Sequence, residues 1–332
     1  MIYWFAPPAD SKSGLAVYAR DLLPFLKEHG EVEWVRAGAV VPPGARRVYN
    51  LGNHRDNAAV LARALAEPDI VLLHDANLHH AALGLDDPSE AFGDDRALRL
   101  RRRGVWLEPY EALEGALVPV LRRQKLILVH SEYAREVLRM RGIGVPAAVI
   151  PMGVVVPRAT AEKEGCSIGL FGHIGTNRKV GEILDGVRSL RARYPDLILK
   201  AVGASVPEAL DGEPGVVVRR GLPDEGFFKE MAATTLFLNL RYPVMGETSL
   251  STLQALALGT VAVVSELGSY AELPDAAVVK VPPDAPWTGP VAGLLADPAR
   301  RQAMEAAARA WVEQRHAPRA WAAALREALC NS

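Results

Sequence analysis

The chain has 332 residues, 49% of them hydrophobic and 23% charged, with 38 Lys and Arg against 39 Asp and Glu for a net charge of −1. The length suits two domains of roughly 100–200 residues each, and the composition excludes disorder, a collagen-like repeat and a protein built as a nucleic-acid binder. Two cysteines, Cys166 and Cys330, exclude a disulfide framework and a cysteine-based metal cluster.

Short apolar runs alternate with longer stretches of helical period, the pattern of parallel sheets covered by helices. In the first half, strands are predicted at 2–6, 31–35, 47–51, 69–74, 126–130 and 147–150, and helices over 15–29, 58–66, 109–123 and 132–141. The second half begins again at CSIGLFG (166–172), with strands at 197–203, 216–220, 235–240, 260–265 and 277–281. Its helices are predicted over 180–194, 225–233, 250–258 and 297–314. The segment 151–165, with two prolines, two glycines and no clean period, reads as a linker between domains 1–153 and 154–316. Pro318 interrupts the helical C-terminus, so a last helix over 319–330 is free to pack back on the first domain. The expected fold is α/β: two Rossmann-like, doubly wound parallel sheets facing a cleft at the carboxyl ends of their strands, where a ligand is expected. MIYWFAPPAD lacks the basic and apolar regions of a secretory leader, and no apolar run approaches the ~20 residues of a bilayer span. A protein of the cytoplasm is expected.

The unusual residues fall at the predicted strand ends. After the first strand, a polar loop leads to Gly14, which reads either as a plain loop-to-helix turn or as a place for backbone to approach a ligand phosphate or sugar. The dinucleotide fingerprint GxGxxG is missing there, which argues against a nicotinamide dehydrogenase. The fourth strand ends in HDANLHH, with His74, Asp75 and Asn77 at the cleft, while His79 and His80 begin a helix. In the second half GHIGTNRKVGEIL places His173, Arg178 and Lys179 before a helix. Cations at a helix N-terminus oppose the macrodipole unless an anion sits between them and the free amides; two solvated charges are the other reading. Segment 240–275 sets Glu247 before a helix start at Thr248, Ser249 and Leu250, either hydroxyl able to cap, and ends in a turn holding Glu272.

Taken in order, SGLAVYARDLLPFLKEHG, LLHDANLHH, VHSEYAREVL, VIPMGV, GHIGTNRKVGEIL and GETSLSTLQALALGTVAVVSELGSYAELPD resemble the family-four retaining glycosyltransferases of GT-B fold, notably bacterial surface-glycan and mannosyltransferase-type members. The likeness spans nearly the whole chain. It implies a nucleotide-diphosphate sugar held mainly by the second domain and a glycan or lipid-linked acceptor held mainly by the first. It also implies that Lys179 holds the diphosphate, that His74 lies near the donor sugar and that Gly14 matches the glycine of the first loop. The family's arginine position falls on His173, leaving His173 or Arg178 as second cation. Of the two family glutamates, the second falls on Gln254, suited to ribose hydroxyls, and the first on Gly246, with Glu247 one place later. Glu272 resembles the acidic residue closing this region. His74, Lys179 and Glu247 are the expected catalytic residues; Asp75 and Asn77 are assigned to the acceptor side. No DxD element occupies a strand end and the resemblance implies no metal, so no cofactor is expected beyond the sugar-nucleotide co-substrate. A GT-B protein that binds nucleotide sugar without turnover is the alternative, motivated by Gln254 and the displaced glutamate. A sugar-nucleotide epimerase or a phosphorylase is a further one.

Five arginines between Arg96 and Arg103 follow an acidic stretch. They read as a solvated face or as a patch for anionic lipid headgroups, which would bring the protein to the inner face of the cell membrane.

Overall fold

The computed structural model describes residues 1–11, 13–92, 117–156 and 158–330. By its contacts the chain divides into two compact units, the first comprising 1–153, 245–248 and 318–332 and the second 154–244 and 249–317.

The first unit is built on a six-stranded sheet: β1 (Ile2–Phe5), β2 (Val32–Val35), β3 (Arg46–Leu51), β4 (Ile70–Leu73), β5 (Leu126–Val129) and β6 (Ala147–Val149). The strands are parallel throughout, in the order β2-β1-β3-β4-β5-β6. A parallel sheet is covered on both faces, so its inner strands read as continuous apolar runs. IVLL in β4 and LILV in β5 are buried at every position. Its helices are α1 (Gly14–Lys27), α2 (Ala58–Ala66), α3 (His79–Leu83), α4 (Ser89–Phe92), α5 (Leu117–Leu121) and α6 (Glu132–Met140). Ser13 caps α1 by accepting from the Ala16 amide at 3.3 Å, and Ser131 caps α6 through Ala134 at 3.1 Å.

The second unit repeats the plan with β7 (Ser167–Phe171), β8 (Ile198–Gly203), β9 (Val216–Arg220), β10 (Leu236–Asn239), β11 (Val261–Ser265) and β12 (Val278–Val281). The order is β12-β11-β10-β7-β8-β9, again all parallel. Helices α7 (Val180–Arg191), α8 (Asp224–Ala233), α9 (Leu250–Ala257), α10 (Thr288–Ala296) and α11 (Pro298–His316) cover it. Ile168, Leu170, Leu236, Leu238 and Val263 fill the core on one face, and Phe171, Val202, Phe237, Ala262 and Val264 that on the other. A last helix, α12 (Pro318–Cys330), packs in the first unit: a Cβ on Gly153 would lie 2.8 Å from the Trp321 ring.

Every predicted strand is present to within one residue at each end. Two helix expectations are corrected. Helix α10 was not anticipated, because TGPVAGLLA combines a near-uniform apolar surface with Gly and Pro and so shows no amphipathic period. Of the helix expected over 109–123, the described residues show Leu117–Leu121.

In both sheets the strand order reverses between neighbours, at β1/β3 and at β7/β10. The carboxyl ends flanking such a reversal are where open α/β sheets bind ligands.

Candidate functional site

In the second unit the loop after β7 runs from Gly172 to Lys179. It lies so close to the end of β8 that a Cβ on Gly203 would fall 1.9 Å from the Gly172 carbonyl oxygen, a contact only glycine permits. The Ile174 amide donates to the Ser205 carbonyl at 3.1 Å, and the Tyr242 amide to the Asn177 carbonyl at 2.9 Å, which joins this loop to the one after β10. Lys179 ends the loop at φ 52°, the one non-glycine residue with positive φ among the described residues. A left-handed L-residue costs roughly 1–2 kcal/mol, and such strain gathers at functional positions.

The structure separates the three cations read from this stretch. Arg178 is fully buried and donates from Nη2 to the Leu238 carbonyl at 3.4 Å, and His173 is exposed. Lys179 sits at the rim, where its Nζ donates to Glu182 Oε2 at 3.0 Å and to the Pro283 carbonyl at 2.9 Å, 5.8 Å from the centre of the exposed Tyr242 ring. The anion that a cation at a helix start requires is here supplied by the first turn of α7 itself, through Glu182.

Ser249, not Thr248, caps α9, accepting from the Thr252 amide at 3.2 Å. The cap is held from below by the fully buried Asn239, whose Nδ2 donates to Ser249 Oγ at 3.2 Å and to Thr252 Oγ1 at 2.6 Å. Asn239 Oδ1 accepts from Arg241 Nε at 3.2 Å, so one amide at the end of β10 ties a guanidinium to the helix start. The first-turn amides of α9, from Leu250 onward, have no partners within the helix. Gln254 stands half-buried one turn further on, and Glu272 is exposed at the end of the turn Gly268–Glu272. Sequence reasoning missed Arg241 and Asn239. The signal lay in LNLRYP, where a buried polar residue ends an otherwise apolar strand.

In the first unit, His74 follows β4 and is buried, with its amide donating to the Leu51 carbonyl at 2.8 Å. Its ring meets Asn50 Oδ1 at 2.6 Å through Nε2 and His130 Nε2 at 3.3 Å through Nδ1, and Tyr18 of α1 packs edge-on at 4.6 Å. Burial, and after it His130, hold the His74 imidazole well below the usual histidine range. With both ring nitrogens engaged inside the unit, His74 offers a ligand no free lone pair. Asp75 accepts from the Asn53 amide at 2.8 Å and so fixes the loop after β3. Asn77 is buried and accepts from the His79 amide at 2.8 Å, starting α3.

Residues 245–248 join this cluster. Gly246 has φ +76°, and a Cβ there would lie 2.4 Å from Ala76 Cβ. Asn77 Nδ2 approaches Met245 Sδ at 3.8 Å, and Glu247 Oε2 accepts from the Met245 amide at 2.6 Å. The carboxylate also acts on Tyr133, whose phenol is raised by burial first and by Glu247 second. His74, Asp75, Asn77, Glu247 and Thr248 therefore lie in one unit with Gly14 at the head of α1, where nothing stands within 4 Å of a built Cβ. His173, Arg178, Lys179, Ser249, Leu250, Gln254 and Glu272 lie in the other. Among the described residues no group of three or more His, Cys, Asp or Glu is placed to hold a metal ion, and no helix is long and apolar enough to cross a membrane. Arg96–Arg103 lie outside the described residues.

Two six-stranded parallel sheets in these strand orders, each with helices on its faces, define the GT-B class. The chain is similar over its whole length to sucrose-phosphate synthase from Thermosynechococcus elongatus, at TM-score 0.71 and 14% identity, covering 100% of this chain and 99% of that one. HepE of Anabaena in complex with UDP-glucose matches at TM-score 0.68 and 14% identity, covering 100% and 99%. WaaG, a glycosyltransferase involved in lipopolysaccharide biosynthesis, matches at 0.62 and 15%, covering 99% and 98%. At these identities the likeness is one of fold. Residues 178–327 match the family model described as glycosyl transferase-like. No curated protein sequence matches it.

Proposed function

We propose that the protein is a retaining hexosyltransferase that moves a sugar from a nucleotide-diphosphate sugar to an acceptor hydroxyl, without a metal or other cofactor, in the synthesis of a surface glycan or glycolipid. The observation that carries this reading is the left-handed Lys179, an ammonium held at a ligand-binding strand end at a cost in backbone energy. The solved GT-B structure of HepE with UDP-glucose supports a sugar-nucleotide donor, and WaaG, with its part in lipopolysaccharide biosynthesis, supports a glycan or lipid-linked acceptor.

Cleaving the glycosyl–phosphate bond puts negative charge on the departing diphosphate and positive charge on the sugar ring. Lys179, once drawn off Glu182, and the first amides of α9 meet the negative charge as it develops. Arg241, tied through Asn239 to the α9 cap, is better placed for a second cation than the buried Arg178 or the exposed His173. The leaving phosphate takes the acceptor's proton and attack comes from the same face of the sugar, so no side chain acts as covalent nucleophile. Gln254 serves the ribose through hydrogen bonds without charge, Glu272 closes the region, and Glu247 with Asp75 and Asn77 orients sugar and acceptor.

Incubation with a panel of UDP-, GDP-, ADP- and dTDP-sugars, with the anomeric configuration of the product read by NMR, tests the proposal. Transfer or slow donor hydrolysis with retained configuration and unchanged rate in chelator is expected; an inverted product contradicts it. A second reading, a protein that binds nucleotide sugar without turnover, is favoured by Gln254 and the glutamate displaced to Glu247. Binding with no turnover of any donor would establish that reading instead. The protein acts in the cytoplasm, and Arg96–Arg103 bring it to anionic membrane; salt-sensitive pelleting with anionic liposomes is the expected result.

A further inference from the structure

Among the described residues one Phe, Tyr or Trp side chain is exposed, that of Tyr242, at 57%. A single exposed ring calls for no explanation by itself. This one is fixed in place over the ammonium of Lys179. The Tyr242 amide donates to the Asn177 carbonyl at 2.9 Å, and Asn177 Nδ2 donates to the Pro243 carbonyl at 3.4 Å. Asn177 belongs to the turn Thr176–Arg178, which leads straight into the left-handed Lys179. The segment that carries the ring and the turn that sets the backbone of the lysine are therefore tied to each other by both bonds, all within the second unit.

The partners of the ammonium differ in charge. Glu182 is a carboxylate at 3.0 Å, whereas the Pro283 carbonyl at 2.9 Å and the Tyr242 ring, its centre at 5.8 Å, are neutral. A cation that is to meet an anion gains from neutral partners, which hold it without cancelling its charge. The Lys179 side chain is 16% exposed, so it is already largely withdrawn from water. A ring face attracts a cation within about 6 Å of its centre, and the attraction grows as water is removed. An anion that displaces Glu182 also covers the ammonium, so the ring counts for more with the anion bound than without it.

We propose that Tyr242 is a positioning residue for Lys179: the face of its ring, with the Pro283 carbonyl, keeps the ammonium in place when a diphosphate draws it off Glu182. This rests on the reading of Lys179 as the diphosphate cation. The phenol hydroxyl has no part in the contact, so a phenylalanine serves in its place and an aliphatic side chain does not.

The test is made on the full-length chain with ¹³C-labelled lysine and with inorganic pyrophosphate, which has neither base nor sugar to stack on the ring. The ε-methylene signal of Lys179, assigned by its loss in Lys179→Met, is expected upfield of the ordinary lysine position through the ring current of Tyr242. It is expected to stay upfield once pyrophosphate is saturating. Tyr242→Leu brings the signal to the ordinary position and weakens pyrophosphate binding about two- to fivefold at unchanged Tm, the scale of one exposed cation–π contact. Tyr242→Phe keeps both the upfield signal and the affinity. In a Lys179→Met background, Tyr242→Leu changes binding no further. A signal that returns to the ordinary position when pyrophosphate binds overturns the positioning role, and so do equal affinities in wild type and Tyr242→Leu. A loss in Tyr242→Leu seen with a nucleoside diphosphate but not with pyrophosphate overturns it too, and assigns the ring to the base. A Lys179 signal indifferent to pyrophosphate in the wild type overturns the diphosphate reading and the positioning role together; one that responds alike in wild type and Tyr242→Leu, with equal affinity, overturns the positioning role alone.

Discussion

Lys179 and Glu182 are joined across the first turn of α7, ammonium to carboxylate at 3.0 Å, so the cation expected to hold a diphosphate already has an anion of its own chain. Glu182 is largely exposed and the pair is screened by solvent, so the pairing itself holds little energy. A diphosphate, with two negative charges and several acceptor oxygens, outcompetes one exposed carboxylate. Lys179→Ala is expected to lower turnover by ~10²–10³, the scale of losing one charge-stabilising donor. Glu182→Gln is expected to raise donor affinity severalfold, measured by titration calorimetry. Near-normal turnover in Lys179→Ala removes that residue from the diphosphate site.

Asn239 joins the α9 cap to Arg241 through three hydrogen bonds, the two to the cap fully buried and the one to Arg241 partly so. Asn239→Ala leaves Ser249, Thr252 and the guanidinium without those partners, at a cost of about 1–3 kcal/mol. Chemical denaturation reads that loss. If the α9 start holds the diphosphate, KM for the donor rises as well, whereas Asn239→Asp keeps the acceptor for Arg241 and loses only the cap.

Glycines 246 and 14 make opposite predictions. At Gly246 the backbone is left-handed and a Cβ meets Ala76 Cβ at 2.4 Å, so Gly246→Ala is expected to destabilise the first unit by roughly 2 kcal/mol or more. At Gly14 nothing lies within 4 Å of a Cβ and the residue opens a helix, so Gly14→Ala is expected to keep or raise stability by ~0.5–1 kcal/mol. A drop in donor turnover in Gly14→Ala at unchanged Tm places ligand in that open space.

Lys163 gives a pH signature. Its Nζ donates to the Thr234 carbonyl and to Thr260 Oγ1, both at 2.9 Å, and burial lowers it from 10.5 to about 8. Between pH 8 and 10.5 the unfolded chain holds a proton that the folded one has released, so this group adds stability as pH rises through that window and adds nothing further below it. Unfolding free energies of wild type and Lys163→Gln are expected to diverge as pH rises from 8 to 10.5. A constant difference contradicts the lowered value.

The sheets were legible because each core strand is a short apolar run bounded by polar turns, a local property that needs no knowledge of the partner strand. Helix α10 was not, since TGPVAGLLA lacks a polar face to set its period. The site was legible as a set of strand ends and opaque in its contacts. Nothing near Gly246 in sequence announces Ala76, 170 positions away, and His130 reads as the last residue of LILVH until the fold brings it to His74. Arg178 and Lys179 are neighbours of like charge in the sequence. A turn Thr176–Arg178 followed by one left-handed residue sends the first into the core and the second to the rim.

The most direct measurement is a crystal structure of the protein soaked with the nucleoside diphosphate that most raises its Tm. Diphosphate oxygens are expected between Lys179 Nζ and the amides at the start of α9, with the lysine drawn off Glu182. A diphosphate bound elsewhere, with the lysine still on Glu182 and Pro283, contradicts it.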